Sequence, residues 1–410
     1  MAPGPMYAWF VGWTWVLRSR EIDLFRGCRR QWDLGALTRR GLVPRVRQSV
    51  FDLEAAVRMG LATYYFPALD DWSRAIVRPL AIKGFNRAMS EQATAYERAR
   101  PLTAEQARDW QRHRRLGEAL LNRYFDWADA ADDFDSILSD ELVWAPVPDP
   151  DRPDRDVGTP DGRPVRFVAR VDSLVSDSSD ELWVLDHRVV WDDWTPDEGL
   201  TEDDEQRRAI WALQVAHPQM LVAGTIYNEL RVAADDPDRF AATASAAAGA
   251  AEVAPQARET RDMTRVRHPS AMAARLPVSP DADRVAHNAV EADGVVWRGG
   301  SEHVRRSAVR RAQRSIEASG RRVAADVRLM TDSDIDLTPN PSPERCGACA
   351  FLAPSTAMFE GRDPEPILAA AFRRRGEEEL EDAGLRRSDE RRDQQGSPFA
   401  NQQNVNFRWS

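Results

Sequence analysis

Two consecutive apolar runs, each carrying one aspartate, constrain the fold of this chain more than any other feature. Residues 166–175 and 181–190 are rich in valine, leucine and aromatic side chains, which predicts two β-strands joined by a polar hairpin connection. Asp172 lies in the apolar middle of the first strand, and Asp186 directly follows an apolar run in the second. A carboxylate is costly to bury unless a metal ion or a hydrogen-bonding partner compensates its charge. We therefore expect both aspartates to have such partners.

Arg188 follows the second aspartate by two residues. Two carboxylates with a neighbouring cation are typical of a divalent-metal site that acts on phosphodiesters. Two carboxylates and a main-chain carbonyl, here that of His187, are hard oxygen ligands of the kind that Mg²⁺ or Mn²⁺ prefers. A divalent ion held there would lower the pKa of a bound water and neutralise charge on a phosphodiester. The competing interpretation is a structural ion pair, either Asp186 with Arg188 or Asp172 with Arg170.

The order of elements predicts a mixed α/β fold in which helices flank a mixed sheet. Apolar positions at helical spacing predict helices over 18–41, 50–66, 72–98, 103–131, 201–216 and 301–330, and Thr103 with Gln106 resembles a capping box. Strands are predicted over 141–147, 164–177, 182–190 and 219–232. The helix between the last two strands is a crossover, so we expect these two strands to be parallel.

Changes in composition divide the chain into five parts. They are an N-terminal helical region (1–135), an α/β core (136–233), an irregular insertion (234–300), a segment with a long helix and two cysteines (301–375) and a disordered tail (376–410). The apolar run 6–17 has 12 residues, which is too short to span a bilayer, and we expect it to pack in the core. Three cysteines argue against a disulfide framework, so we expect a cytoplasmic protein.

The order and spacing of these segments resemble the PD-(D/E)xK nucleases, most closely the RecB-like branch that includes the CRISPR-associated iron–sulfur exonucleases. In that family one strand carries GxxD, the next ends in (D/E)xK, and a following helix carries QxxxY. The corresponding segments here are 169–172 (ARVD), 186–188 (DHR) and 206–210 (QRRAI). The resemblance implies a restriction-endonuclease-like core with a metal held by Asp172 and Asp186. It implies catalytic roles for Asp172, Asp186, Arg188 and Gln206.

The same family holds a four-iron cluster with one cysteine from an N-terminal helix and three from near the C-terminus. Cys28 lies in the first predicted helix, and Cys346 and Cys349 form a CxxC pair. The resemblance implies that these three thiols bind an iron–sulfur cluster, with Ser355 where the family has its last cysteine. Taken alone, a CxxC pair is equally compatible with a zinc site or with core packing.

Several motif positions depart from the family pattern. The motif glycine is Ala169, the lysine is Arg188, the tyrosine is Ile210, and 59–65 contains no counterpart of the catalytic histidine. Arginine stays protonated and cannot act as a general base. It can still donate a fork of hydrogen bonds to a phosphate and stabilise charge in the transition state. We therefore interpret Arg188 as a phosphate clamp.

The expected partner is DNA, as single strands or ends. The net charge of −10 argues against indiscriminate nucleic-acid binding, although it does not exclude a local basic groove. Arginines that would line such a groove are Arg29, Arg30, Arg39, Arg40 and Arg45 near the first helix and those from Arg305 to Arg322. Charge runs of this kind are equally typical of solvated helix faces.

The leading functional hypothesis is a DNA exonuclease that hydrolyses phosphodiesters with Mg²⁺ or Mn²⁺ at Asp172 and Asp186. A rival hypothesis is a catalytically inactive descendant that keeps the fold as a DNA-binding or scaffold protein, which the departures at Arg188, Ile210 and Ser355 favour. A third is an interaction protein stabilised by zinc at its cysteines.

Overall fold

The computed structural model describes residues 14–45, 51–98, 101–233 and 292–375. In chain order the first elements are β1 (Trp15–Arg18), α1 (Ser19–Gly27), α2 (Arg29–Gly35), β2 (Leu42–Pro44), α3 (Leu53–Tyr64), α4 (Arg74–Glu97), α5 (Ala104–Ala131), β3 (Phe134–Pro146), β4 (Pro148–Asp149), β5 (Arg152–Asp156), β6 (Val165–Asp177) and β7 (Leu182–Trp191). They continue with α6 (Asp197–Thr201), α7 (Asp204–Ala216), β8 (Val222–Val232), β9 (Gly294–Gly300), β10 (Val304–Arg310), α8 (Gln313–Met330), α9 (Pro343–Gly347), α10 (Leu352–Phe359), α11 (Glu365–Ala371) and β11 (Phe372–Arg374).

A mixed seven-stranded sheet with helices on both faces forms the centre of the described structure. Its strands lie in the order β1-β6-β7-β8-β10-β9, with β3 paired to the other edge of β6. β6 and β7 form the expected antiparallel hairpin, and β7 pairs with β8 in parallel across the α7 crossover. The predicted mixed α/β class and the predicted crossover are therefore confirmed.

The two faces of the sheet bury separate cores. On β7, Val184 packs with α1, α7 and α8, whereas its neighbours Trp183 and Leu185 pack with α3, α4 and α5. This alternation follows from the two-residue period of a strand. Asp186 and Arg188 share the parity of Val184, so we place them on the α7 face of β7, while His187 points toward α3 and α5.

The sheet forks where β7 separates from β6. β3 covers one edge of β6 along almost its full length, so β1 and β7 must share the other edge. Within β6, residues Ser173–Ser176 pair with β7, and residues Val165–Val168 pair with β1. The edge of β6 between these two ladders, residues 169–172, pairs with none of the described strands. We call this gap the fork.

Two predicted helices differ from the structure. The helix expected over 18–41 is interrupted at Cys28, whose backbone is extended between α1 and α2. The helix expected over 301–330 begins only at Gln313, because β9 and β10 occupy the preceding residues. Val304 and Ala308 are four residues apart, a spacing that suits a helix face and also one side of a strand. These residues form a strand and not a helix because β10 pairs with both β8 and β9.

The remaining helix predictions are confirmed within a few residues at each end, and the capping box of α5 is present at Thr103 and Gln106. Three predicted features lie wholly or mostly outside the described residues. They are the insertion, of which 234–291 is not described, the tail (376–410) and most of the apolar run 6–17. No helix in the described part of the chain is long and apolar enough to cross a membrane.

Candidate functional site at the sheet fork

Asp172 and Asp186 lie at the opening of the fork. The β6–β7 ladder ends with Ser173 paired to Leu185, so the two aspartates are the next residues on their strands. Their exposed fractions are 9% and 5%. Both line one cavity of about 880 Å³, which also receives residues from β1, α1, α3, β3 and α7. Both aspartates therefore reach the same cavity, and the fork explains how a buried strand exposes them to it.

Asp186 uses both of its carboxylate oxygens within the protein. Arg188 Nε donates to Oδ2 at 2.6 Å, and Gln206 Nε2 on α7 donates to Oδ1 at 2.8 Å. Arg188 also pairs with Asp203 and lies over the ring of Tyr227, 4.5 Å from its centroid. Burial opposes the charge of Arg188, but Asp186 and Asp203 outweigh burial and raise the pKa of its guanidinium. The structural ion pair between Asp186 and Arg188 is thus present, as the competing interpretation expected.

Asp172 is held by main chain from β7 and by a cation from α3. The amide of His187 donates to Asp172 Oδ2 at 3.0 Å, and Arg58 Nε lies 3.4 Å from the same oxygen. Burial raises the pKa of Asp172 to about 6; the charge of Arg58 opposes this rise and that of Asp186 adds to it. The other predicted ion pair is absent, since Arg170 pairs with Asp140 instead.

Glu54 and Arg58 are site residues that the sequence analysis did not identify. Arg58 Nε donates to the carbonyl of His187 at 2.9 Å, and its Nη2 pairs with Glu54 Oε1 at 2.6 Å. Glu54 in turn accepts from the amide of Val189 at 3.3 Å. In the sequence, Glu54 and Arg58 are visible only as a Glu–Arg pair four residues apart on an amphipathic helix. Such a spacing usually indicates an ion pair exposed to solvent. The two residues instead face the fork.

The donor set of the fork does not fit a resident divalent metal. Both oxygens of Asp186 are occupied, and Arg58 and Arg188 offset the charges of the two aspartates. A hard cation would have to displace Arg188 or Gln206 to reach the oxygens of Asp186, and Arg58 to reach Oδ2 of Asp172. Among the residues that the structure describes, no three histidine, cysteine or carboxylate side chains are grouped to hold a metal ion. The metal at Asp172 and Asp186 stays a prediction, one that this arrangement disfavours.

Two arginines, Arg18 and Arg20, line the mouth of the fork. Arg20 is exposed and makes no ion pair or hydrogen bond with any residue that the structure describes. Arg18 has a buried Nε that finds no hydrogen-bond partner in the described part of the chain. Burial lowers the pKa of Arg18, and nearby Arg170 lowers it further, although Glu21 opposes this. An anion at the mouth would relieve the repulsion between these guanidiniums.

Most of the arginines predicted to form a nucleic-acid groove have partners within the protein. Arg29, Arg30 and Arg45 donate to main-chain carbonyls of the C-terminal segment, whereas Arg39 and Arg40 pair with carboxylates. Arg306 and Arg311 are only 3% and 1% exposed. The groove interpretation is wrong for these two residues, because they lie on or just after β10 in the sheet and not on an exposed helix.

The three cysteines line one small cavity, although they are not grouped closely enough to be recognised as a metal site among the described residues. Cys28, Cys346, Cys349 and Ser355 line a second cavity of about 30 Å³. None of the thiols is in a disulfide, and burial raises the pKa of Cys349. Arg30 and Arg345 tie the two chain segments together through the carbonyls of Ser355 and Gly27. Three sulfurs do not complete a four-thiolate set, so the cluster and the zinc alternative both stay predictions.

A scan against protein-family models finds no match for this chain, and a search of the curated proteins finds none either.

Proposed function

We propose that this protein binds single-stranded DNA or DNA ends at the mouth of the fork, on a core of the PD-(D/E)xK type, without hydrolysing the bound strand. The observation that carries the proposal is the charge arrangement at the fork. Its inner carboxylates are paired with Arg58 and Arg188, while Arg18 Nε and the Arg20 side chain at the mouth lack hydrogen-bond partners among the described residues. Such guanidiniums beside an open cavity suit phosphate oxygens, which accept their hydrogen bonds and balance their charge.

Fluorescence anisotropy with a labelled single-stranded oligonucleotide tests the binding. We expect Arg18→Gln/Arg20→Gln to weaken affinity about tenfold or more and to reduce the slope of log affinity against log salt by about 0.7 for each phosphate that the variant no longer neutralises. Arg87→Gln is the matched control, because Arg87 is an exposed helical arginine that does not line the cavity. Equal affinity of the double variant and the control would show that DNA does not bind at the mouth.

The second candidate is the metal-dependent hydrolysis that the sequence predicted. It is favoured by one observation, namely that two buried carboxylates reach the same cavity from neighbouring strands. Asp186→Asn separates the two candidates. Our proposal expects no degradation of DNA with Mn²⁺ by the wild-type protein, and DNA affinity that is unchanged or higher in Asp186→Asn, because Arg188 loses a negative partner. Mn²⁺-dependent degradation that disappears in Asp186→Asn would establish the hydrolase instead.

A further inference from the structure

Arg58 contacts three oxygen-bearing groups that converge on the fork. Its Nε lies 2.9 Å from the carbonyl oxygen of His187 and 3.4 Å from Asp172 Oδ2, and its Nη2 lies 2.6 Å from Glu54 Oε1. Two carboxylates and a main-chain carbonyl are hard oxygen donors, the type that Mg²⁺ and Mn²⁺ select. One guanidinium therefore satisfies a set of oxygens that would otherwise suit a small divalent ion.

The surroundings of Arg58 fix its guanidinium at this position. Its helix, α3, is anchored by buried neighbours on the same turn, Ala56, Val57 and Leu61. Glu54, one turn earlier, pulls the guanidinium toward the fork and is itself held by the amide of Val189. Burial opposes the charge of Arg58, but Asp172, Asp186 and Glu54 outweigh burial, and the pKa of the guanidinium is raised. The side chain is thus permanently charged and attached to the chain, whereas a metal ion must arrive from solution.

We infer that Arg58 is the resident cation of the fork, and that its guanidinium keeps divalent metal ions away from Asp172, Glu54 and the carbonyl of His187. A cation that is part of the chain has a very high effective concentration and loses little freedom when it pairs, so a free ion competes poorly with it. Its removal leaves Asp172 and Glu54 without their cation, and the two uncompensated carboxylates attract an added positive charge. The inference does not depend on whether the fork binds DNA.

Mn²⁺ binding tests this inference directly. Free Mn²⁺ is titrated by electron paramagnetic resonance in the presence of wild-type protein, Arg58→Ala and Arg58→Ala/Asp172→Asn. We expect no saturable Mn²⁺ site at the fork in the wild type, a saturable site in Arg58→Ala with affinity higher by about tenfold or more, and loss of that site in the double variant. Mn²⁺ should also raise the melting temperature of Arg58→Ala and leave that of the wild type unchanged, because a ligand stabilises only the state that binds it.

Arg87→Ala is the matched control, since it removes an exposed arginine from a neighbouring helix without touching the cavity. Arg58→Met serves as a second variant, because it keeps most of the apolar stem that packs beside the fork and removes only the charge. The inference is overturned if neither Arg58 variant binds Mn²⁺ more tightly than the wild type. It is equally overturned if the wild type has an Asp172-dependent site of the same affinity.

Discussion

Individual side chains at the fork act mainly by neutralising one another. Arg188, expected from sequence to clamp a phosphate, instead bridges Asp186 and Asp203 and lies over the ring of Tyr227. Gln206, for which the resemblance implied a catalytic role, donates to Asp186. Buried charges that are paired in this way are costly to separate, because each partner would be left without water or a counter-charge. The paired state of these residues limits what they can offer to a ligand.

The buried carboxyl group of Glu21 should make the stability of the fold depend on pH. It is 6% exposed and accepts from the amides of Leu37 and Thr38, and burial raises its pKa from 4.5 to about 7. Between these two pKa values the folded chain keeps a proton that the unfolded chain loses. The contribution of Glu21 to stability therefore falls as pH rises from about 4.5 to about 7 and is constant above that.

We expect Glu21→Gln to lack this slope. The free energy of unfolding of the variant, measured in urea relative to the wild type, should be higher at pH 8 than at pH 5 by on the order of 2 kcal/mol. A difference between variant and wild type that is the same at both pH values would contradict the buried, protonated state of Glu21.

Helix α7, which carries a residue of the site, packs closely against α8. Gln206 and Asp203 belong to α7 and its N-terminal cap, and α8 packs against α7 through Gly320. A Cβ atom at Gly320 would lie 2.2 Å from Nε1 of Trp211. The absence of a side chain at this one position therefore allows the two helices to approach each other closely.

Gly320→Ala is expected to lower the free energy of unfolding by about 1–3 kcal/mol, because the added methyl group forces Trp211 or the helix to move. This loss would occur although alanine favours a helix over glycine by about 1 kcal/mol. Arg321→Ala on the exposed side of the same helix is the control, with an expected change within about 0.5 kcal/mol. Urea denaturation measures both. An unchanged or raised stability in Gly320→Ala would show that α7 and α8 are not tightly packed here.

A largely buried ion pair connects the N-terminal helical region to the sheet. Arg306 on β10 contacts Asp132, just after α5, with Nη2 and Oδ1 2.7 Å apart. Its Nε donates to Asn228 on β8 at 2.6 Å, and its guanidinium lies over Trp127 and Phe134. The pair connects residues 174 positions apart in sequence, so it forms only when the helices dock on the sheet.

Arg306→Met should lower the free energy of unfolding by about 3–5 kcal/mol, because it leaves Asp132 charged and buried without a counter-charge. Arg306→Met/Asp132→Asn should recover part of that loss, since neither charge remains. Chemical denaturation of the two variants and the wild type measures the difference. If the double variant were no more stable than the single one, the ion pair would not explain the loss.

The sequence determined the local parts of this protein. Two runs rich in valine, leucine and aromatic residues, with a polar connection, predicted the β6–β7 hairpin with its two aspartates, and the helix after it predicted the parallel return of β8. The capping box of α5 was readable because Thr103 and Gln106 are three residues apart. These features depend on contacts between near neighbours, which a pattern of residue types records.

The tertiary structure alone decided what meets at the fork. Arg58 reaches the carbonyl of His187 across 129 positions, and no local pattern indicates that its guanidinium meets Asp172 there. The fork itself exists because β1 and β7 share one edge of β6, and β10 is a strand because β8 and β9 flank it. Contacts between distant segments depend on how whole elements pack, and an apolar or charged position looks the same in sequence whichever distant partner it meets.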